Sequence, residues 1–130
     1  MREIKFRAYH NGRMFEFGFD EIDTGWAWPL DSEGRHSDGI YLEDLPIQQY
    51  TGLHDKRGKE IYEGDIVLNH DFEPPYPYVV DWNGVMGWWQ IYAKNIYSQR
   101  QLSENELEVI GNIYENPELL KPIKEVENNE

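Results

Sequence analysis

The run Gln48-Gln49-Tyr50-Thr51-Gly52-Leu53-His54-Asp55-Lys56-Arg57-Gly58-Lys59-Glu60-Ile61-Tyr62-Glu63-Gly64-Asp65-Ile66-Val67 sets short apolar segments between glycines and turn residues. Ile47 to Leu53 reads as a strand. Asp55-Lys56-Arg57-Gly58 reads as a turn, with glycine where a left-handed residue is needed. Ile61-Tyr62-Glu63-Gly64 is too short for a stable helix and is expected to make one turn against the core. Gly64-Asp65 then releases the chain into a strand at Ile66-Val67-Leu68. Packing accounts for most of this block. Gly52, Gly58 and Gly64 suit tight β connections, while Tyr50, Leu53, Ile61, Tyr62, Ile66 and Val67 suit a barrel core. Thr51 suits a local backbone bond, and Asp65 suits a bond to the backbone of the turn before it. The rival explanation is that the block forms a binding surface.

The flanking sequence extends the same β pattern. Residues 4 to 9 alternate, with Ile4, Phe6 and Ala8 on one face and Lys5, Arg7 and Tyr9 on the other. Asn11-Gly12 predicts a tight hairpin turn, and Met14, Phe15, Phe17 and Phe19 the return strand. Trp26 and Trp28 alternate around Ala27 before Pro29 stops a ladder. Residues 31 to 39 read as a polar, mobile loop. Tyr78 to Trp82, Asn83-Gly84 and Val85 to Tyr92 predict the clearest hairpin. Ser103 and Glu106 fit a capping box, residues 107 to 114 a strand, and Asn116-Pro117 the start of a brief helix. Turn signals recur without a long helical period, the pattern of a mainly β fold: a small barrel or pseudo-barrel of SH3-like character, with an N-terminal hairpin and short helical turns. One domain over 1–120 is expected, divided into the hairpin 1–19, an acidic segment 20–46 and a barrel-like part 47–120. Residues 121–130 read as a polar, frayed tail.

Charge narrows the chemistry. Twelve Lys and Arg stand against 25 Asp and Glu, a net charge of −13 that opposes direct binding to nucleic acid or anionic lipid. The acids concentrate in two places. From Glu16 to Asp44, nine carboxylates (Glu16, Asp20, Glu21, Asp23, Asp31, Glu33, Asp38, Glu43 and Asp44) oppose only Arg35, a local net of −8. From Glu104 onward eight acids oppose Lys121 and Lys124, a local net of −6. Solubility alone explains any single acid. Cysteine is absent, which removes thiolate nucleophiles, thiolate metal sites and disulfides together. No secretory pattern or membrane-length apolar run is present, so a cytoplasmic location is expected.

Catalytic constellations are not evident. His54-Asp55 and His70-Asp71 repeat, with His10 and His36 elsewhere, but no metal-ligand spacing joins them. They read as solvated loop histidines, and no metal or cofactor is expected. No nucleophile elbow occurs, and carboxylate pairs such as Asp20 with Asp23 or Glu43 with Asp44 arise by chance in so acidic a chain. Gly58-Lys59, Gly64 and Lys56-Arg57 do not make a phosphate loop. The tryptophans are more informative. In a strand Trp88-Trp89 must place one indole on each face, and Trp26 and Trp28 share a face if extended. An exposed set stacks bases or contacts protein. With so few basic neighbours, protein contact or self-association is favoured.

The central run resembles the signature of the YopX-like proteins, small proteins encoded by bacteriophages and prophages. The opening Arg2-Glu3-Ile4-Lys5-Phe6-Arg7-Ala8 and the closing stretch from Glu108-Val109-Ile110-Gly111-Asn112-Ile113-Tyr114 through Glu115-Asn116-Pro117-Glu118-Leu119-Leu120 agree with it. The resemblance implies an accessory protein acting inside a bacterial host, and it carries over no catalytic residue. Three functions remain. The first is a non-enzymatic module whose acids engage a basic, nucleic-acid-binding host or phage protein. The second is a nucleic-acid-binding barrel using its aromatics, and the third a small-molecule enzyme. Exposed carboxylates on one side would favour the first. A basic groove beside aromatics would favour the second, and a deep polar pocket the third.

Overall fold

Strands β1 (Phe6–His10) and β2 (Arg13–Phe17) pair as an antiparallel hairpin, because Asn11 (φ 52°) and Gly12 (φ 77°) both take the left-handed conformation of a two-residue turn. The structure, a computed structural model, describes residues 4–29, 34–35, 38–43, 45–70, 75–93, 96, 98–103 and 107–120. Contacts divide the chain into two compact units, Met1–Gly52 and Leu53–Glu130. Among the described residues no helix is long and apolar enough to cross a membrane. The protein is mainly β, with a curled half-barrel sheet and a short 3-10 turn.

In the first unit β1 is the middle strand, flanked by β2 and by β5 (Ile47–His54). Register sets Ala8 opposite Phe15 and Phe6 opposite Phe17, and the Phe6 and Phe17 rings stack at 6.0 Å. Phe15 and Phe17 join Ala8, Ala27 and Leu42 in the core of this unit, each phenyl contributing about 1.5–3 kcal/mol by leaving water. Arg7, on the opposite face from Ala8, is also buried, and its Nε donates to Gln48 Oε1 at 2.6 Å.

The return strand ends earlier than its aromatic spacing implies. Phe19 opens helix α1 (Phe19–Thr24) and is exposed. Two glycines bound the helix: the Gly18 N–H donates to Glu21 Oε2 (3.1 Å), and Gly25, at φ 84°, donates its N–H to the Glu21 carbonyl (2.8 Å). Strands β3 (Trp26–Ala27) and β4 (Ile40–Tyr41) then pair antiparallel. Much of the polar loop 31–39 lies outside the described residues.

The second unit begins with the end of β5, which turns through Asp55–Lys59 into β6 (Glu60–Tyr62). Residues Ile61 and Tyr62 are thus strand, not the helical turn expected there, because the Asp55 turn folds them back as a hairpin that buries both side chains. Next come β7 (Asp65–Asn69), β8 (Tyr76–Asn83), β9 (Trp88–Ala93), β10 (Ser98–Gln101) and β11 (Leu107–Asn112). They form an antiparallel sheet ordered β10-β9-β8-β7-β11. Ile61, Val67, Tyr78, Val80, Trp89, Ile91 and Leu107 pack as its core.

The β8–β9 hairpin is present, but its tip is longer than Asn83-Gly84 implies. Strand β9 begins at Trp88, and the reversal runs from Asn83 to Gly87. Asn83 Oδ1 accepts the N–H groups of Val85 and Met86 (3.0 Å each), and the Gly87 N–H donates to the Asn83 carbonyl (2.8 Å). Gly87 (φ 75°) carries the left-handed conformation. Strand β10 lacks apolar alternation and was not expected. Strand β11 ends at Asn112 rather than Tyr114, because the Asn112 side chain accepts the N–H groups of Tyr114 and Glu115 and forms a turn. Pro117–Leu120 is a 3-10 turn. The Ser103–Glu106 box and the tail 121–130 fall wholly or partly outside the described residues.

Candidate functional site

The first unit gathers aromatic and acidic groups around the β3–β4 pair. Trp26 and Tyr41 are register partners, with ring centroids 5.1 Å apart, and Trp26 stacks on Trp28 at 6.3 Å and 23°. All three stay open to solvent, at 42%, 47% and 54% exposure for Trp26, Tyr41 and Trp28. Gly39 makes the arrangement feasible. A Cβ there would lie 2.7 Å from Trp28 Nε1 and 3.2 Å from Trp26 Cε3, so both indoles rest against its bare backbone.

Carboxylates adjoin the Tyr41 side of this aromatic group. The Tyr41 hydroxyl donates to Glu43 Oε2 at 2.7 Å. A cavity of about 370 Å³ lies between α1 and the chain after β4, with Ile22, Leu42 and Ile47 as apolar walls and Asp23, Tyr41 and Glu43 as polar ones. Asp20, Asp23, Asp38 and Glu43 are exposed, whereas Glu21 is half-buried and caps α1. Asp31, Glu33 and Asp44 lie outside the described residues. Tyr41 was missed by sequence reasoning, although an aromatic facing Trp26 across a short pair was its available signal.

The second tryptophan pair divides between two environments. Trp89 is buried in the core of the second unit, and Trp88 is half-buried. Trp89 meets the exposed Trp82 edge-on at 5.1 Å. Beyond them the hairpin tip presents Val85, 94% exposed, and Met86.

The central signature residues lie in β5, β6, β7 and their turns. Gly52, Gly58 and Gly64 all have positive φ, of 86°, 86° and 84°. Tyr50, Thr51, Ile61, Tyr62, Ile66 and Val67 are buried, and Leu53 packs on the core of the second unit. Asp65, fully enclosed, accepts the Tyr62 N–H at 2.8 Å.

Asp55 is bonded through both of its carboxylate oxygens. Oδ1 accepts the N–H groups of Arg57 (2.8 Å) and Lys59 (2.9 Å), and Oδ2 accepts that of Val109 (2.9 Å), tying its turn to β11. Burial disfavours its charge, but the bonds from Val109, Lys59 and Arg57, with the Lys59 charge, outweigh this and hold its pKa below the ordinary value. Beside it Glu108 receives Arg57 Nη2 at 3.2 Å and faces His70 Nε2 at 3.0 Å. His54 is exposed in β5, and His10 lies at the end of β1. Among the described residues no three His, Asp or Glu side chains converge as metal ligands.

The fold is shared with solved structures. Protein EF1440 from Enterococcus faecalis is 24% identical, with a TM-score of 0.55 over 93% of this chain and 100% of its own. Protein YopX from Bacillus subtilis is 22% identical, with a TM-score of 0.55 over 90% of this chain and 98% of its own. No curated protein matches the chain. The family described as YopX protein matches residues 5–121, nearly the whole length, and so the chain belongs to the YopX protein family.

Proposed function

We propose that this chain is a non-catalytic, protein-binding accessory module of a phage or prophage, acting inside the bacterial host through its acidic residues on a basic, nucleic-acid-binding protein. One observation carries the reading: the exposed aromatics of the first unit are accompanied by carboxylates. Asp23 and Glu43 border the cavity beside Tyr41, and Asp38 adjoins the glycine beneath the indoles. Between Gly18 and Ile47 the sequence has one basic residue, Arg35. A nucleic-acid surface would place Lys and Arg beside its stacking rings. Carboxylates there favour a positively charged protein, recruited quickly and in a salt-sensitive way.

The test is capture of partners from nuclease-treated bacterial lysate at low and high salt, by wild type and by an Asp20→Lys, Asp23→Lys, Asp38→Lys variant. A basic protein held by wild type at low salt, released by salt and lost by the variant is the expected result. A partner indifferent to salt and to charge reversal would exclude the acidic mode.

A further inference from the structure

We infer that the cavity between α1 and β4 is the socket for an arginine side chain of that basic partner, a conclusion that rests on the protein-binding reading above. The occupant follows from the walls. Ile22, Leu42 and Ile47 offer apolar contact to an aliphatic stem, and Asp23 and Glu43 offer two carboxylates to a positive head. Among the described residues that line the cavity none is basic. Tyr41 does two things there. Its ring supplies an aromatic wall, and its hydroxyl holds the Glu43 carboxylate at 2.7 Å.

The volume suits this occupant. About 370 Å³ lies near the small end of ligand pockets, which run from about 300 to 1,000 Å³, and it fits one long side chain rather than a helix. Arginine fits better than lysine because a planar guanidinium stacks on Tyr41 and forks between carboxylates. An ammonium keeps its water and has no flat face. The Trp26–Trp28 stack, joined to the socket through the Trp26–Tyr41 contact, then offers further aromatic surface to the flanking partner chain.

The test uses the whole chain, with the peptide acetyl-(Gly-Arg)3-amide and its lysine counterpart as probes, at low salt by calorimetry and by 1H–15N chemical-shift mapping. Two variants lose equal charge. Asp23→Asn with Glu43→Gln alters the socket, and Glu16→Gln with Asp20→Asn alters exposed acids outside it. The arginine peptide should shift the amides of Asp23, Tyr41, Leu42 and Glu43 most, and bind about three-fold more tightly than the lysine peptide. The socket variant should weaken it about five-fold more than the control variant does. Equal weakening by both variants, or shifts centred elsewhere, overturns the socket and leaves the acidic reading intact. Equal binding of the two peptides overturns the arginine assignment. Failure of both peptides to bind overturns the socket and the acidic reading together.

Discussion

Asp55 shows how one side chain joins segments distant in sequence. It is ionised in the fold because three backbone donors, one of them 54 residues away at Val109, point at its two oxygens. Its folded pKa lies below the unfolded value, so its stabilisation is present above the ordinary carboxylate value of 3.8 and is lost as pH falls through the folded pKa. Asp55→Asn removes one acceptor and leaves a buried N–H facing an amide, a cost of about 2 kcal/mol at neutral pH. In denaturant titrations the gap between wild type and variant should close as pH drops below about 3.8; a gap independent of pH would mean that the charge contributes nothing. Gly39 gives a second case. Gly39→Ala should drive Trp28 off its stack and erase near-ultraviolet dichroism from that pair, with a stability change of about 0.5 kcal/mol, since the indole can swing into water. An unchanged spectrum would show that the indoles do not need the bare backbone. The turn role of Asp55-Lys56-Arg57-Gly58 and the bond from Asp65 to its own turn are local, so residue type reveals them. The tie to Val109 depends on which strands become neighbours, and nothing within either segment encodes it.

The β8–β9 hairpin locates the boundary between what composition reveals and what it hides. Apolar alternation on both sides of Asn83 predicts the two strands, and both are present. Asn-Gly also suggests a two-residue reversal, as it does at Asn11-Gly12. At Asn83, however, a second glycine four residues on lets the longer loop close, and the Asn83 side chain bonds the loop's own N–H groups. The consequence is a reversed ranking of two glycines. Gly84 is outside the positive-φ set, and a Cβ there meets only Trp82 Nε1 at 3.9 Å, so Gly84→Ala should be tolerated. Gly87→Ala should cost about 1 kcal/mol, because Gly87 sits at φ 75°. Thermal unfolding of the two variants decides it, and a larger loss at Gly84 would restore the two-residue turn. Other elements were hidden for related reasons. Helix α1 has six residues and no helical period to read, only a glycine at each end with Glu21 reaching back. Strand β10 is polar along Ser98–Gln101 and is held by pairing to β9, which alternation cannot report.

Charge is the property of the complete chain that its sequence states most directly, and its arrangement changes what each acid can do. The nine carboxylates from Glu16 to Asp44 look equivalent as letters. In the fold Glu21 caps α1, Asp23 and Glu43 border a cavity, and Asp20 and Asp38 face solvent. Reversing Glu21 to Lys would therefore remove the cap, a loss of about 1 kcal/mol that would confuse a binding test. Reversing Asp20, Asp23 and Asp38, whose side chains are exposed, should change stability by only about 0.5 kcal/mol. With a net charge of −13, the protein should not retain duplex DNA or RNA at physiological salt, since neutralising phosphates needs clustered cations. Adding three lysines in place of three acids leaves the net charge at −7, still the wrong sign for general attraction to phosphate. Gel-shift assays should accordingly show no complex for wild type or for this variant, while the captured protein partner is lost from the variant alone. Retention of nucleic acid by wild type would transfer the function to the exposed aromatics as a base-stacking surface. Loss of the partner from a variant that has also unfolded would show that these acids support the fold, and circular dichroism of the same sample separates the two explanations.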